Sequence, residues 1–282
     1  MPAGTAPGLP TGMQPLSDWP LAARQQLVGL FTDIDDTLTS QGQISPDTLQ
    51  ALGQLQAAGL HVIAITGRPI GWCEVHAKGD AAHGVAPWPV DALVAENGAV
   101  AWVGKPQRQK LYQQDAATRQ RNQPRMHAIG QRILREVPGA AISRDSDGRE
   151  TDLAIDAAEF CQLSPAQIAQ VLAIMQAEGM HTTVSSIHIH GCLGQFNKWQ
   201  GACWIVQELL GMDLAQEAER WAFTGDSGND VAMFERLSNS IGVANLLPLA
   251  PRLTHLPRYL TPSERGAGFA EVAAAILQAR QS

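Results

Sequence analysis

The alternation of apolar and polar positions divides the chain into recognisable pieces. Residues 1–20 are rich in Pro, Gly and Ala and lack a basic start followed by an apolar block, which predicts a poorly ordered tail, not a secretory signal. Leu27-Val28-Gly29-Leu30-Phe31 is too short for a helix and runs into acidic residues, the pattern of a buried strand. Ser45 can cap the helix that follows, with Pro46 at its first position, Leu49, Leu52 and Leu55 on one face and Gly59 as the stop. His61 to Ile65 is a second buried strand, which completes a βαβ unit and therefore a parallel pair. Pro69 to Pro89 is a long connection punctuated by Gly, Ala and Pro. Asp91 to Ala95 then predicts a third strand, Glu96-Asn97-Gly98-Ala99 a turn, and Val100 to Val103 a strand returning from it.

Between about 105 and 195 the character changes. Residues 115–136 are polar and rich in Gln and Arg, with Ile129, Ile133 and Leu134 spaced as the inner face of a helix. Thr151 to Asp156 predicts a strand, Ser164-Pro165 opens a second helix that Gly179 closes, and His181 to His190 alternates as one half-exposed strand. The buried pattern then resumes: a helix over 199–210, a strand over Trp221 to Thr224, a helix over Val231 to Leu237, a strand over Ser240 to Val243, and a last helix over Phe269 to Ala279. The expected fold is α/β: a doubly wound parallel sheet, a Rossmann-like core over 21–104 and 194–282, with an α+β cap inserted at 105–193 and hinged near 103–106 and 193–197.

Composition supports a globular chain. Of 282 residues, 45% are hydrophobic and 17% charged, and the net charge of −7 disfavours a nucleic-acid binder, which needs clustered Lys and Arg. The four cysteines have no close pairs, so neither zinc nor disulfides are expected and the reading is a reduced, cytoplasmic protein. No apolar run reaches the roughly 18 residues of a membrane span. The expected partner is a small phosphorylated molecule, with no membrane and no nucleic acid, and the chain a monomer or homodimer.

Three polar clusters each follow a strand: Asp33-Ile34-Asp35-Asp36-Thr37-Leu38, Thr66-Gly67-Arg68 and Gly225-Asp226-Ser227-Gly228-Asn229-Asp230. Ligands of open α/β sheets bind at the carboxyl ends of the strands, so these clusters can converge despite their separation. Converging carboxylates repel one another unless a hard cation joins them, and Mg2+ suits a few carboxylates plus a substrate phosphate. Asp33 and Asp35, two apart on an extended strand end, would point the same way. One can attack phosphorus and the other protonate the leaving oxygen. Thr66 offers a hydroxyl and Lys198 a charge to the phosphoryl oxygens.

In order, Asp33-Ile34-Asp35-Asp36-Thr37-Leu38-Thr39, Thr66-Gly67-Arg68, Asn197-Lys198-Trp199-Gln200-Gly201 and Gly225-Asp226-Ser227-Gly228-Asn229-Asp230 resemble the four motifs of the haloacid dehalogenase superfamily. Glu96-Asn97-Gly98-Ala99 ahead of an inserted α+β unit resembles its Cof-type branch, which includes sugar-phosphate, sucrose-phosphate and mannosyl-phosphoglycerate phosphatases. The resemblance implies Asp33 as nucleophile and metal ligand, and Asp35 as acid/base that ligates through its backbone carbonyl. It implies Asp226 as third ligand and Asp230 as support, with Thr66, Gly67, Lys198 and Asn229 on the phosphate. Asp36 departs from the pattern, where many members have Gly, as does the bulky Trp199.

Taken singly, each motif has an ordinary structural reading, as a capping turn, a solvated loop or a surface lysine; their joint order after strands carries the enzymatic one. Arg68 reads as a structural partner for a core carboxylate. His188 and His190 share one strand face, and with Arg144 they are the cap candidates for substrate selection. Charged cap surface is the bland reading for Arg144, Asp145 and Asp152, and core packing for Trp72 and Trp88. Two rivals to a phosphatase are a phosphomutase or phosphotransferase of the same superfamily and a non-enzymatic phospho-aspartate switch.

Overall fold

A computed structural model describes residues 9–104 and 107–281 of the chain. In chain order it runs β1 (Gln14–Pro15), α1 (Leu21–Gln25), β2 (Gly29–Thr32), the small hairpin β3 (Thr39–Ser40) and β4 (Gln43–Ile44), α2 (Pro46–Ala57), β5 (His61–Ile65), α3 (Ile70–Lys78), β6 (Ala92–Ala95), β7 (Val100–Val103) and β8 (Gln109–Tyr112). There follow α4 (Ala116–Glu136), β9 (Ala141–Ile142), β10 (Asp152–Asp156), α5 (Pro165–Ala177), β11 (His181–Val184) and β12 (His188–Cys192). The chain ends with α6 (Lys198–Leu210), β13 (Trp221–Gly225), α7 (Val231–Arg236), β14 (Asn239–Gly242), β15 (Tyr259–Leu260) and α8 (Arg265–Ala279).

The larger sheet has the order β1-β15-β14-β13-β2-β5-β6-β7-β8, parallel from β1 through β6 and closed by the antiparallel β7 and β8. Alternate residues of its strands feed two separate cores. Leu30, Val62, Ala64 and Leu93 pack with Leu52 and Leu55 of α2, Ile70 and Cys73 of α3 and Phe269 and Ile276 of α8. Phe31, Ile63, Ile65, Val94 and Phe223 pack on the opposite face with Ala202 and Ile205 of α6 and Met233 and Phe234 of α7. Helices on both faces of a mostly parallel sheet make this a doubly wound α/β fold.

The smaller sheet, β11-β12-β10-β9, is antiparallel. Leu153, Ile155 and Ile189 point into a third core with Met126, Ile129 and Ile133 of α4 and Val171, Ile174 and Met175 of α5. By the two-residue period of a strand, Asp152, Asp156, His188 and His190 take its other face. That face is buried too.

Several local expectations change. Chain 13–20 is no loose tail: Gln14 and Pro15 pair with β15, and Met13, Leu16 and Trp19 are buried, with Trp19 Nε1 donating to Asn239 Oδ1 at 3.0 Å. Residues 1–8 lie outside the described residues, as do 105 and 106 of the expected hinge. The span 69–89 holds α3, whose Ile70, Cys73 and Ala77 are buried at helical spacing. The boundary placed at 104 falls inside the β6-β7-β8 meander, so the large sheet continues to Tyr112. The single strand expected over His181 to His190 is a hairpin, broken at Ser185 to Ile187, where Ser185 Oγ accepts the His188 amide at 3.0 Å.

Candidate active site

The site lies where β2, β5 and β13 end. After Thr32 the chain leaves the strand at Asp33 and tightens into a turn, with the amides of Thr37 and Leu38 donating to the Ile34 carbonyl at 3.3 and 2.9 Å. Asp33 is buried and its Oδ1 accepts from Lys198 Nζ at 2.6 Å. Lys198 is the first residue of α6, capped by Asn197, and is fully buried with its second partner, Asp230 Oδ1, also at 2.6 Å. Asp230 takes the amides of Asp226 and Ser227 on its other oxygen at 2.8 and 2.9 Å, so both of its oxygens are committed to shaping the loop. Carboxylate oxygens of Asp33, Asp226 and Asp230 all lie within 4.8 Å of one another. A Cβ at Gly225 would stand 2.6 Å from the Asp230 carboxyl, which is why the loop needs glycine there.

Charge in this cluster is unbalanced. Burial pushes Asp33 up to about 7 although Lys198 pulls the other way, with Asp230 and Asp35 adding to the rise. Burial and then the Asp33 and Asp230 charges drive Asp226 well above the carboxylate range. One ammonium serves three buried carboxylates, and a divalent cation is the chemistry that such a donor set fits.

Asp35 lines the same cleft, but its carboxylate faces another cation. Arg68 Nε donates to its two oxygens at 3.1 and 3.0 Å and Nη2 to Oδ1 at 3.0 Å, and the same guanidinium reaches Asp145 at 3.3 Å and Glu159 at 3.2 Å. The carboxylates that cluster are therefore Asp33, Asp226 and Asp230, while the turn after Ile34 aims the Asp35 side chain elsewhere. Asp36 has φ +55° and turns outward, its Oδ1 taking Arg265 Nε at 2.9 Å and its carbonyl taking Asn245 Nδ2 at 3.0 Å. Trp199 packs half-buried against the α6-side core.

Thr66 is buried and its Oγ1 accepts the Arg68 amide at 3.0 Å. The turn Glu96-Asn97-Gly98, with three successive positive φ values of 50°, 54° and 113°, is the hub behind this loop. Its amides donate to the Arg68 and Thr66 carbonyls at 3.0 and 2.9 Å, and Asn97 Oδ1 accepts Asn229 Nδ2 at 3.0 Å. The buried Glu96 carboxylate takes the amides of Ile70 at 3.1 Å and Thr151 at 2.6 Å, and the Thr151 hydroxyl, which ties the small sheet to the large one.

The small sheet covers the cleft. Ser185, Ser186, His188 and His190 line it opposite Asp33, Thr66, Gly67, Ser227 and Asn229, leaving about 10 Å³, room for about one water. His188 Nε2 lies 2.8 Å from Glu159 Oε2 and His190 Nδ1 lies 3.1 Å from Asp152 Oδ2. Both histidines are buried, not solvated, and burial, reinforced by Arg149, lowers both below the usual imidazole value. Arg144 is exposed, 3.8 Å over the Phe160 ring, and does not line the cleft; Arg149, from the same segment, instead donates to the Gly67 carbonyl at 2.9 Å. Arg149 and Glu159 carry no motif spacing, and only their contacts reveal them.

Residues 30–131 match the family model of haloacid dehalogenase-like hydrolases. No curated protein matches by sequence. Among solved structures, the chain is similar to the Thermoplasma acidophilum protein 0175, with 15% identity and TM-score 0.65 over 89% of this chain and 98% of that one. It is also similar to the sucrose-phosphatase of Synechocystis sp. PCC6803 in complex with sucrose and phosphate, with 18% identity and TM-score 0.63 over 89% and 98%. A third is the C-terminal domain of C. albicans trehalose-6-phosphate phosphatase, with 15% identity and TM-score 0.59 over 92% and 96%. With these structures the chain shares the fold.

Proposed function

We propose that this chain is a Mg2+-dependent phosphomonoesterase that acts on a small phosphorylated metabolite, a sugar phosphate, through an aspartyl-phosphate intermediate on Asp33. The observation that carries the reading is the buried group Asp33, Asp226 and Asp230 around Lys198 at the carboxyl ends of β2 and β13. Asp33 and Asp226 have the oxygens to hold Mg2+, joined by the backbone carbonyl of Asp35, and Asp230 supports them by fixing Lys198 and the loop. Bound there, Mg2+ would offset the clustered negative charge and draw the phosphate toward Asp33.

Asp33 attacks phosphorus while the ester oxygen departs with a proton from Asp35. A water then gives its proton to Asp35 and attacks the same phosphorus, which frees Asp33 and inorganic phosphate. Lys198, the Thr66 hydroxyl, the Gly67 amide and Asn229 stabilise the phosphoryl oxygens. Arg68 must release Asp35 for either proton transfer. Because the cleft has room for about one water, the small sheet unit, proposed as a cap over roughly 113–193, must open to admit substrate and close again to exclude solvent. We place the enzyme in the cytoplasm, as a monomer or homodimer with no membrane or nucleic-acid partner. Among the described residues no helix is long and apolar enough to cross a membrane.

The test is phosphate release from 4-nitrophenyl phosphate and from a panel of phosphorylated metabolites, with Mg2+ and with EDTA. Turnover should require Mg2+ and disappear in Asp33→Asn. Release that persists undiminished in Asp33→Asn would exclude Asp33 as nucleophile, and isomer formation without phosphate release would make the chain a mutase.

A further inference from the structure

The small sheet brings one buried polar atom to the cleft that nothing among the described residues satisfies. His190 lies on β12 opposite Ala154 of β10 and is 3% exposed. Its Nδ1 is 3.1 Å from Asp152 Oδ2, and Arg149 Nη1 holds both oxygens of Asp152 at 2.9 and 3.1 Å. The same Nη1 donates to the Gly67 carbonyl at 2.9 Å, so this row of side chains is pinned to the phosphate loop. Burial alone would raise Asp152, but Arg149 and His190 outweigh it and keep it an anion. An ionised carboxylate only accepts, so Nδ1 carries the imidazole proton and Nε2 is left with a lone pair.

That Nε2 is buried without a hydrogen-bond partner. It is aimed at the loop: a Cβ on Gly67 would stand 3.0 Å from it and 3.3 Å from Asn229 Nδ2. Any side chain at residue 67 would take the space between His190 and Asn229. A buried acceptor left unpaired costs about 1–3 kcal/mol, and its orientation toward the reacting group makes a ligand the natural partner. The phosphoryl oxygens of a dianionic ester are acceptors and would repel a lone pair. The ligand group must be a donor, and the donor beside a phosphate ester in a polyol is a hydroxyl.

We propose that His190 is a substrate-contacting residue whose Nε2 accepts a hydrogen bond from a leaving-group hydroxyl close to the ester oxygen, with Asp152 and Arg149 as positioning residues that fix its tautomer. This deepens the phosphatase reading, rests on it, and narrows the substrate to monophosphates of polyols with a free hydroxyl next to the esterified one. Because His190 reaches the cleft from the cap, the hydroxyl is tested only when the cap is down.

The experiment compares kcat/KM of the wild-type enzyme and two variants with Mg2+ on three kinds of substrate. These are hexose and glycerol monophosphates, deoxy analogues lacking the neighbouring hydroxyl, and 4-nitrophenyl phosphate. His190→Asn keeps a donor for Asp152 and loses the atom at Nε2. It should cost at least about ten-fold more on the best polyol monophosphate than on the aryl ester, and the deoxy analogue should lose little further in the variant. Asp152→Asn frees the opposite tautomer and should show the same selective loss, with thermal unfolding establishing that either variant is folded. Equal losses on polyol and aryl esters in both variants would overturn the proposal, since a phosphoryl contact or a packing role predicts that result. A wild-type enzyme inactive on every ester, the aryl one included, would instead overturn the phosphatase reading.

Discussion

Arg68 holds Asp35 by both carboxylate oxygens, at 3.0 to 3.1 Å, and with its remaining edge binds Asp145 and Glu159 of the covering unit. One guanidinium thus joins the candidate acid/base to the small-sheet unit, and without it three carboxylates would face one another. Arg68→Ala should loosen the closed arrangement: amides of 145–159 should exchange faster with deuterium, and kcat/KM should fall by about ten-fold. Arg68→Lys should restore little, because a single ammonium cannot serve three carboxylates in this planar geometry. Unchanged exchange across 145–159 in Arg68→Ala would show that the latch is unimportant.

Lys198 contributes differently, because it is fully buried and bridges Asp33 and Asp230 at 2.6 Å each. Removing one partner of a buried ionic group leaves uncompensated charge, at a cost of about 3–5 kcal/mol. Lys198→Met should lose stability of that order at pH 7 in urea unfolding and turn over at least about a hundred-fold more slowly. A variant as stable as the wild type would mean that the bridge adds nothing net.

The sequence made much of this legible. Strand ends at Asp33, Thr66 and Asp226 are marked by apolar runs that stop at polar turns, so the convergence of the motifs follows from the parallel topology. What stayed hidden depends on tertiary contact. The Asp33 to Asp36 run does not say that Ile34 opens a turn, so the split of Asp33 toward Lys198 and Asp35 toward Arg68 has no local signal. The alternation over His181 to His190 marks a face, but only packing decides that this face is buried on the core, and Ser185-Ser186 was the available sign of a hairpin. Trp19, in a Pro- and Gly-rich stretch, is held by Asn239 on β14, 220 residues away, a pairing that no window of the sequence contains.

Mg2+ should act as a stabilising ligand whose effect needs Asp226. In the metal-free protein Asp226 is raised well above the carboxylate range, so the native state holds a proton that the unfolded chain has released. Stability from this group is therefore largest below the unfolded carboxylate value and is lost as pH rises. Metal-free Asp226→Asn should be the more stable protein, by a margin that grows with pH. Mg2+ at about 100 times its Kd should add about 2.7 kcal/mol to the wild type and nothing to the variant. Thermal unfolding at pH 6 and 8, with and without Mg2+, reads both effects, and an equal Mg2+ response in the variant would place the ion elsewhere.

His76 supplies a pH dependence of the opposite sign. Its ring stacks on Trp88, centroids 4.3 Å apart, and lies tilted against Trp72 at 4.4 Å, and among the described residues its buried Nδ1 has no partner. Burial lowers it to about 4 against a weak pull from Asp35. Between about 4 and 6.5 the unfolded chain binds the proton and the native state does not, so stability is full above 6.5 and falls as pH drops through that window. Allowing for its partial exposure, the loss should reach about 1–2 kcal/mol. His76→Phe keeps an aromatic ring against both indoles and should flatten the acid limb, leaving the two proteins nearly equal at pH 8. Urea unfolding at pH 5 and 8 distinguishes this from a histidine that titrates normally, for which both slopes would match.

The proposed cap meets the core at a tight backbone contact. An ideal Cβ on Gly71, in the first turn of α3, would stand 2.8 Å from Gly148 Cα and 3.1 Å from its carbonyl oxygen, backbone atoms with no flexible side chain to yield. On Gly148 it would meet Gly71 Cα at 3.2 Å and Pro69 Cβ at 3.4 Å, a looser fit. Alanine in a helix is favoured over glycine by up to about 1 kcal/mol, so Gly71→Ala should strengthen α3 while it holds the cap away. Those two effects oppose each other in thermal unfolding, and the melting temperature should move little. They do not oppose each other in activity: a displacement of about 1 Å at a closing site can cost about a hundred-fold in rate. Gly71→Ala should therefore lower kcat/KM at least about ten-fold with little change in melting temperature, and Gly148→Ala should show the same effect more weakly. If Gly71→Ala keeps full turnover, the cap need not approach this closely for the reaction; if Gly148→Ala is the worse of the two, the contact is not the limiting one.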